Sequence, residues 1–252
     1  MALETGTYIS DLNSSNPDGA SSPVSEIDGH LKLLKSTVKA TFPNVSGAVT
    51  PTHTELNYVD GVTSSIQTQI DALGSGRWKF LKAVTASSSA SISFANGVSG
   101  VVFDSTYDEY QIVFHAVKPA SDAVLWLRTS TNAGSSYDSG ASDYSYAVSG
   151  RNAAGSNSSS DSAAAAQIRV TAASVESTRE GAFGRITIFR PFDAAYCNVL
   201  YDAAYYDSVN GMAYQNGAGA RLAAADVDAV QMLFSTGNIA SGYFYLYGRK
   251  AA

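Results

Sequence analysis

The chain has 252 residues, of which 45% are hydrophobic and 15% are charged, so a sizeable core is expected beneath a surface of uncharged polar residues. The formal net charge of −6, with no basic stripe, argues against binding nucleic acid through phosphate neutralisation. The single cysteine, Cys197, excludes an intrachain disulfide, and with three scattered histidines it gives no zinc-site spacing.

The first segment predicts an extended arm. Residues 1–22 are rich in Gly, Ser, Asn and Asp and show little periodicity, so they bury too little apolar surface to order themselves. No charged stretch leads into an apolar run, so no signal peptide is expected. No apolar run reaches the roughly 20 residues of a membrane span. We therefore expect no membrane insertion.

Residues 23–76 have the pattern of short helices. Ser22-Pro23 is expected to start the first helix and Phe42-Pro43 to end it. The sequence THTE at 52–55 has the spacing of a capping box, which predicts the start of a second helix. Ser64 is a candidate cap for a third. Each helix is short, and isolated helices below about 12–15 residues are marginal in water.

One apolar stripe follows these helices at spacings of three and four residues. Its members are Ile27, Leu31, Leu34, Val38, Leu56, Val59, Ile66, Ile70 and Leu73. A narrow stripe on short helices favours identical partners around an axis. We predict that residues 23–76 form an oligomerising stalk, with a homotrimer as the preferred assembly.

Beyond the stalk, the periodicity changes from that of helices to that of strands. Short runs rich in Val, Ile, Phe and Tyr are separated by Gly, Ser, Asn and Asp, which predicts an all-β sandwich over residues 77–252. In YFYLYG (243–248), the three tyrosines are expected on one face and Phe244 and Leu246 on the other.

Two segments of this region are predicted to lie outside strands. The insert NAAGSNSSSDSAAAA at 152–166 is a loop by composition, with a short helix at its alanines as an alternative. The sequence GAGAR at 217–221 is interpreted as a Gly-rich turn, because it matches no phosphate-binding or dinucleotide-binding motif.

No catalytic constellation is recognised. The histidines His30, His53 and His115 lack a Ser or Cys partner in a recognisable local context, and they are interpreted as surface or interface residues. Carboxylates cluster near three turns, at Asp104, Asp108 and Glu109, at Asp138 and Asp143, and at Asp202 and Asp207. They favour turn formation over a glycosidase pair or a calcium site. The prediction is no enzyme, no metal and no cofactor.

Tyrosines in segments rich in Gly, Ser and Asp are the candidate binding residues. They are Tyr137, Tyr144, Tyr146, Tyr206 and Tyr214. Exposed tyrosine adds contact area at small entropic cost and suits recognition of a sugar or a protein. Packing at sheet edges is the alternative, because tyrosine is also a strand former.

Several N-terminal motifs share one resemblance. They are Asp28-Gly29-His30, Lys35, TFPN at 41–44, ELNYVDGV at 55–62, and Gln67 with Gln69. Together they resemble the N-terminal segment of many tailed-bacteriophage fibre and tail structural proteins. The C-terminal region is similar to β-sandwich modules at the ends of fibre-like phage proteins. That similarity is carried by TYDEYQIVF (106–114), LWLRTSTNAGSSYDSG (125–140), YSYAVSG (144–150) and VDAVQMLFSTGNIASGYFYLYG (227–248).

The resemblance implies a virion protein that is made in the host cytoplasm. Residues 1–22 would dock onto other tail or capsid proteins, residues 23–76 would form a trimeric stalk, and residues 77–252 would form a jelly-roll-like distal domain. That domain would bind a host-surface glycan or protein. The very short stalk leaves room for a capsid decoration or head fibre without a specific receptor. A glycan depolymerase is a third reading.

Overall fold

The computed structural model describes residues 5–7, 11–13, 24, 27–62, 64–66, 68–70 and 76–250. The chain divides into two compact units, residues 1–64 and residues 65–252. The sequence predicts that the β domain begins at residue 77. The predicted arm, residues 1–22, lies mostly outside the described residues.

The described residues of the first unit form two α-helices, α1 (Ile27–Thr41) and α2 (His53–Asn57). Helix α1 ends directly before Phe42-Pro43, which confirms the predicted end; its predicted start at Ser22-Pro23 lies outside the described residues. One side of α1 is covered, since Thr37 is buried and Leu33 is half-buried.

The capping box at the start of α2 is confirmed. Thr52 Oγ1 accepts a hydrogen bond from Glu55 N at 3.3 Å, and Thr52 N donates to Glu55 Oε2 at 2.7 Å. These hydrogen bonds from Thr52 lower the pKa of Glu55. Further along, residues 66 and 68–70 are helical, and Ser65 Oγ accepts from Thr68 N at 3.2 Å. The third helix is therefore capped one residue later than predicted.

The second unit is mainly β. Its strands are β1 (Lys79–Ser89), β2 (Ile92–Ala95), β3 (Glu109–Pro119), β4 (Leu125–Ser130), β5 (Tyr144–Asn152), β6 (Asn157–Ala165), β7 (Ile168–Arg169), β8 (Ala182–Phe189), β9 (Asn198–Asp207), β10 (Gly211–Arg221), β11 (Ala229–Phe234) and β12 (Ile239–Arg249). A 3₁₀ helix, Val98–Gly100, follows β2. The strands form an antiparallel eight-stranded sheet, β1-β12-β3-β8-β9-β10-β5-β6, and an antiparallel four-stranded sheet, β2-β11-β4-β7.

The predicted alternation in β12 is confirmed. Phe244 and Leu246 are fully buried, whereas Tyr243 is 44% exposed. On the neighbouring strand β3, the direct partners of Phe244 and Leu246 are Phe114 and Ile112, which are also buried. Because side chains alternate along a strand, one face of the eight-stranded sheet supplies the core and the other carries polar and aromatic groups.

A single hydrophobic cluster fills the core of the second unit. It draws Ile112 and Phe244 from the eight-stranded sheet and Phe94, Leu127 and Met232 from the four-stranded sheet. Burial of these side chains removes apolar area from water, which is the main stabilising contribution to the fold.

The predicted loop at 152–166 is wrong for most of its length. Strand β6 occupies residues 157–165 and pairs along β5, with Val148 opposite Ser160 and Arg151 opposite Asn157. Backbone hydrogen bonds to β5 hold this serine-rich and alanine-rich segment, so weak strand propensity is overridden by its position beside an existing strand.

The predicted turn at 217–221 is also wrong. These residues lie in β10, between β9 and β5 inside the eight-stranded sheet. The glycines make room for neighbouring side chains. A Cβ at Gly217 would lie 2.5 Å from the ring of Tyr201, and one at Gly219 would lie 2.8 Å from Cγ2 of Ile168. Glycine here permits close approach within a strand.

Candidate functional site

An open groove of about 660 Å³ lies on the outer face of the eight-stranded sheet. It crosses the neighbouring strands β3, β8, β9, β10 and β5, which together span roughly 19 Å at the usual separation of strands. The polar residues that line the groove are Gln111, Ser149, Arg185, Thr187, Tyr201, Asp202, Tyr214 and Asn216. We call this surface the sheet groove.

Strand register brings these side chains together. Asp202 lies directly opposite Arg185 on one side and Asn216 on the other. Arg185 Nε donates to Asp202 Oδ1 at 2.7 Å. In the next row of side chains on this face, two residues further along β8, Thr187 Oγ1 accepts a hydrogen bond from Gln111 Nε2 at 3.2 Å. Pairs on adjacent strands fix each other's orientation, so the groove presents ordered polar groups.

Tyr214 stands beside the ion pair with 58% of its surface exposed. The hydrogen bond and charge of Asp202 are the main causes that raise the pKa of Arg185, and Tyr214 raises it further. Tyr214 lies two residues before Asn216, the direct partner of Asp202, and therefore shares its face of the sheet. Of the five predicted binding tyrosines, it is the one that lines the sheet groove.

Tyr201 and Gly217 also line the sheet groove, at its base. The Tyr201 side chain is buried, and this burial raises the pKa of its hydroxyl. Among the described residues, the hydroxyl oxygen has no hydrogen-bond partner. The ring occupies the space that a side chain at residue 217 would need.

A second group of aromatic residues lies on the same outer face, along β1, β12 and β3. The His115 ring stacks between Tyr243 and Tyr245, with centroid distances of 4.9 and 5.6 Å. Phe80 meets Tyr247 edge to face at 5.8 Å. The period of two in YFYLYG predicts that the three tyrosines share one face, but the candidate binding residues do not include them. Their alternation with buried neighbours is the signal that could have found them.

The prediction that Tyr144 is exposed is wrong. Its ring is fully buried, and its hydroxyl accepts a hydrogen bond from Thr129 N at 2.8 Å and donates to Asp138 O at 3.2 Å. Tyr144 shares the core-facing side of β5 with Val148, because residues four apart on a strand lie on the same face. Its role is structural.

The other three predicted tyrosines are half-buried and do not line the sheet groove. Tyr146 contacts Ser160 Oγ through its hydroxyl at 3.3 Å. The guanidinium of Arg179 lies over the ring of Tyr206, with 5.0 Å between Cζ of Arg179 and the ring centroid. Tyr137 lines a separate cavity of about 450 Å³. The predicted set therefore does not form one site.

The predicted apolar stripe is solvent-exposed in the single chain. Its described members are between 44% and 55% exposed, namely Ile27, Leu31, Leu34, Val38, Leu56, Val59, Ile66 and Ile70. Leu73 lies outside the described residues. In the first unit, Leu34, Val38, Phe42, Val45 and Val49 line an apolar groove of about 640 Å³.

Several carboxylates named from the sequence are engaged in ion pairs. Asp138 pairs with Arg221 at 2.6 Å, and Asp202 pairs with Arg185 at 2.7 Å. Asp207 accepts from Val209 N at 2.9 Å, as expected for a turn. Within the described residues, no group of three or more His, Cys, Asp or Glu side chains is placed to hold a metal ion.

No helix among the described residues has the length and apolar character required to cross a membrane. Comparisons with protein-family models, with curated proteins and with solved structures found no match.

Proposed function

We propose that this protein is the subunit of a short homotrimeric bacteriophage virion fibre. Residues 1–22 dock onto the tail or capsid, residues 23–76 oligomerise, and the β domain binds a glycan or protein of the host surface. The proposal rests on the resemblance of the N-terminal motifs and on one structural observation, the exposed apolar stripe.

The stripe supports the oligomer because its described members keep 44–55% of their surface exposed in the single chain. On α1, Ile27, Leu31, Leu34 and Val38 are all exposed, although the neighbouring side of the helix, with Thr37, is buried. Exposure of such a row of apolar side chains to water is unfavourable. Association with identical rows on other chains removes this apolar surface from water. The short helices also need partners to be stable.

We further propose that the two sheets of the second unit stack as a jelly-roll-like β-sandwich, enlarged by strands added to one sheet. The support is the single core cluster, which contains side chains from both sheets. In this arrangement, the sheet groove and the aromatic residues of β12 face away from the core and are available to a ligand.

The oligomer is tested by light scattering and native mass spectrometry of the full chain. We expect a trimer, which the double variant Leu31→Glu/Leu34→Glu converts to monomers because charges cannot be buried in the apolar contact. Ser36→Glu is the matched control, since Ser36 is exposed on the side of α1 opposite the stripe. A wild-type monomer at micromolar concentration contradicts the proposal.

The virion role is tested by electron microscopy of particles labelled with an antibody against the β domain, and by infection in the presence of purified protein. A label on the tail together with inhibition of infection supports a receptor-binding fibre. A label on the capsid without inhibition at saturating dose favours decoration. Absence of the protein from purified particles contradicts both.

A further inference from the structure

We propose that the sheet groove is a binding site for a neutral, hydroxyl-rich saccharide, held by Arg185, Asp202, Asn216 and Tyr214. This inference deepens the proposed function, because it assigns a ligand class and a location to the binding activity of the β domain. The groove volume of about 660 Å³ falls within the usual range for small-molecule sites.

Charge favours an uncharged ligand. Arg185 is the cation of the groove, and Asp202 neutralises it through a hydrogen bond of 2.7 Å. An acidic sugar or a phosphate would have to compete with Asp202 for the guanidinium and would meet a carboxylate beside it. A neutral hydroxyl encounters no such repulsion.

Hydrogen-bonding capacity also matches a sugar. A guanidinium has five N–H donors, a carboxylate accepts at two oxygens, and the Asn216 amide can both donate and accept. These groups stand side by side in one row, because Arg185, Asp202 and Asn216 are direct neighbours on β8, β9 and β10. A sugar hydroxyl donates and accepts at once, so adjacent hydroxyls fit an adjacent donor and acceptor.

Apolar surface completes the match. Tyr214 and Leu200 are 58% and 53% exposed, and both line the groove beside the ion pair. A pyranose ring has faces of C–H groups as well as hydroxyls, so it packs its apolar face on an aromatic ring while its hydroxyls reach polar groups. A purely apolar peptide would cover the exposed polar groups of the groove and remove their hydrogen bonds to water without replacing them.

The experiment applies the full-length protein to an array of neutral and uronic-acid-containing oligosaccharides, followed by titration calorimetry with the strongest neutral binder. We expect binding to neutral members, with an affinity that changes little between low and high salt. Tyr214→Ala and Asp202→Asn should each weaken binding by about tenfold or more. Tyr196→Ala is the matched control, a tyrosine that is 56% exposed and lies outside the groove, and should leave the affinity unchanged.

Thermal unfolding of each variant shows whether the β domain remains folded. Absence of binding to any neutral oligosaccharide, binding to acidic oligosaccharides alone, or equal loss of binding in Tyr196→Ala overturns the site. A trimer present in virions that binds no neutral saccharide refutes the site and leaves the fibre proposal standing. A saccharide-binding protein that is monomeric and absent from virions refutes the fibre proposal and leaves the site standing.

Discussion

Arg221 and Asp138 form an ion pair with 2.6 Å between Nε and Oδ2, and it joins the end of β10 to the segment that connects β4 with β5. Only 10% of the Arg221 side chain is exposed, and Nη1 of the same guanidinium donates a hydrogen bond to Ala223 O at 2.6 Å. The pair holds the long connection between β4 and β5 against the sheet, so the stability of the β domain should depend on both partners.

We predict that Asp138→Asn lowers the free energy of unfolding of the β domain by about 3 kcal/mol, because it leaves the Arg221 charge buried without its counter-ion. Urea denaturation followed by fluorescence measures the change. Asp193→Asn is the control: it removes a pair with Arg190 at 2.9 Å in which the arginine is 66% exposed. Its cost should stay below about 1 kcal/mol. Equal effects would contradict the structural role of the buried pair.

Tyr144→Phe should destabilise the β domain without altering ligand binding. The substitution removes the acceptor of Thr129 N, whose hydrogen bond is 2.8 Å long, and a buried donor without a partner costs about 1–3 kcal/mol. Tyr146→Phe removes a half-buried hydroxyl that has a 3.3 Å contact with Ser160, and should cost less. Chemical denaturation ranks the two. A loss of binding in Tyr144→Phe at unchanged stability would restore Tyr144 as a binding residue.

Gly217→Ala should destabilise the domain by about 1–3 kcal/mol through overpacking. The new Cβ would lie 2.5 Å from the Tyr201 ring, and that ring is only 4% exposed, so it has little space to move. Gly47→Ala is a suitable control because a Cβ there meets no atom within 4 Å. Thermal denaturation of both variants measures the difference. A Gly217→Ala protein as stable as the wild type would show that the ring relocates freely.

Alkaline pH should destabilise the β domain. Burial raises the pKa of the Cys197 thiol from 9.0 to about 12, and burial also raises the pKa of Tyr110 and Tyr201. The folded state therefore retains protons that the unfolded chain releases, so stability is complete below about pH 9 and falls as pH rises towards 12. For Cys197 alone, the loss between pH 9 and 11 is roughly 2–3 kcal/mol.

Urea midpoints at pH 8, 9, 10 and 11 test this pH dependence. Cys197→Ala should show a shallower decline, because one raised pKa is removed while those of the tyrosines remain. Midpoints that stay constant from pH 8 to 11 would contradict burial of these groups in the folded state.

Features set by a few adjacent residues were predictable from the sequence. The capping box at Thr52 and Glu55 was predicted from its spacing, and the two hydrogen bonds are present. The alternation of Tyr243 with buried Phe244 was predicted from the period of two and is confirmed. Both depend on local geometry, because a cap reaches three residues along the chain and alternation follows from the pleat.

The candidate site was predicted only in part. Tyr214 was selected from the composition around it, but Arg185 and Asp202 are 17 residues apart in sequence, and no local pattern marks them as partners. Composition also selected Tyr144, which the pleat turns into the core. Which tyrosine faces a groove depends on the register of neighbouring strands, and a single strand does not encode that register.

Amino-acid order alone was enough to indicate a mainly β chain with short capped helices and an apolar stripe, because these arise from periodicity along one segment. The strand at 157–165 and the glycines of β10 required the assembled sheet. Serine, alanine and glycine have little intrinsic strand preference. Here β6 is extended because its backbone pairs with β5, and β10 because its backbone pairs with β9. Glycine is needed at residue 217 because the Tyr201 ring fills the space of a side chain there. Such interactions join residues far apart in the chain, so they are absent until the sheet has formed.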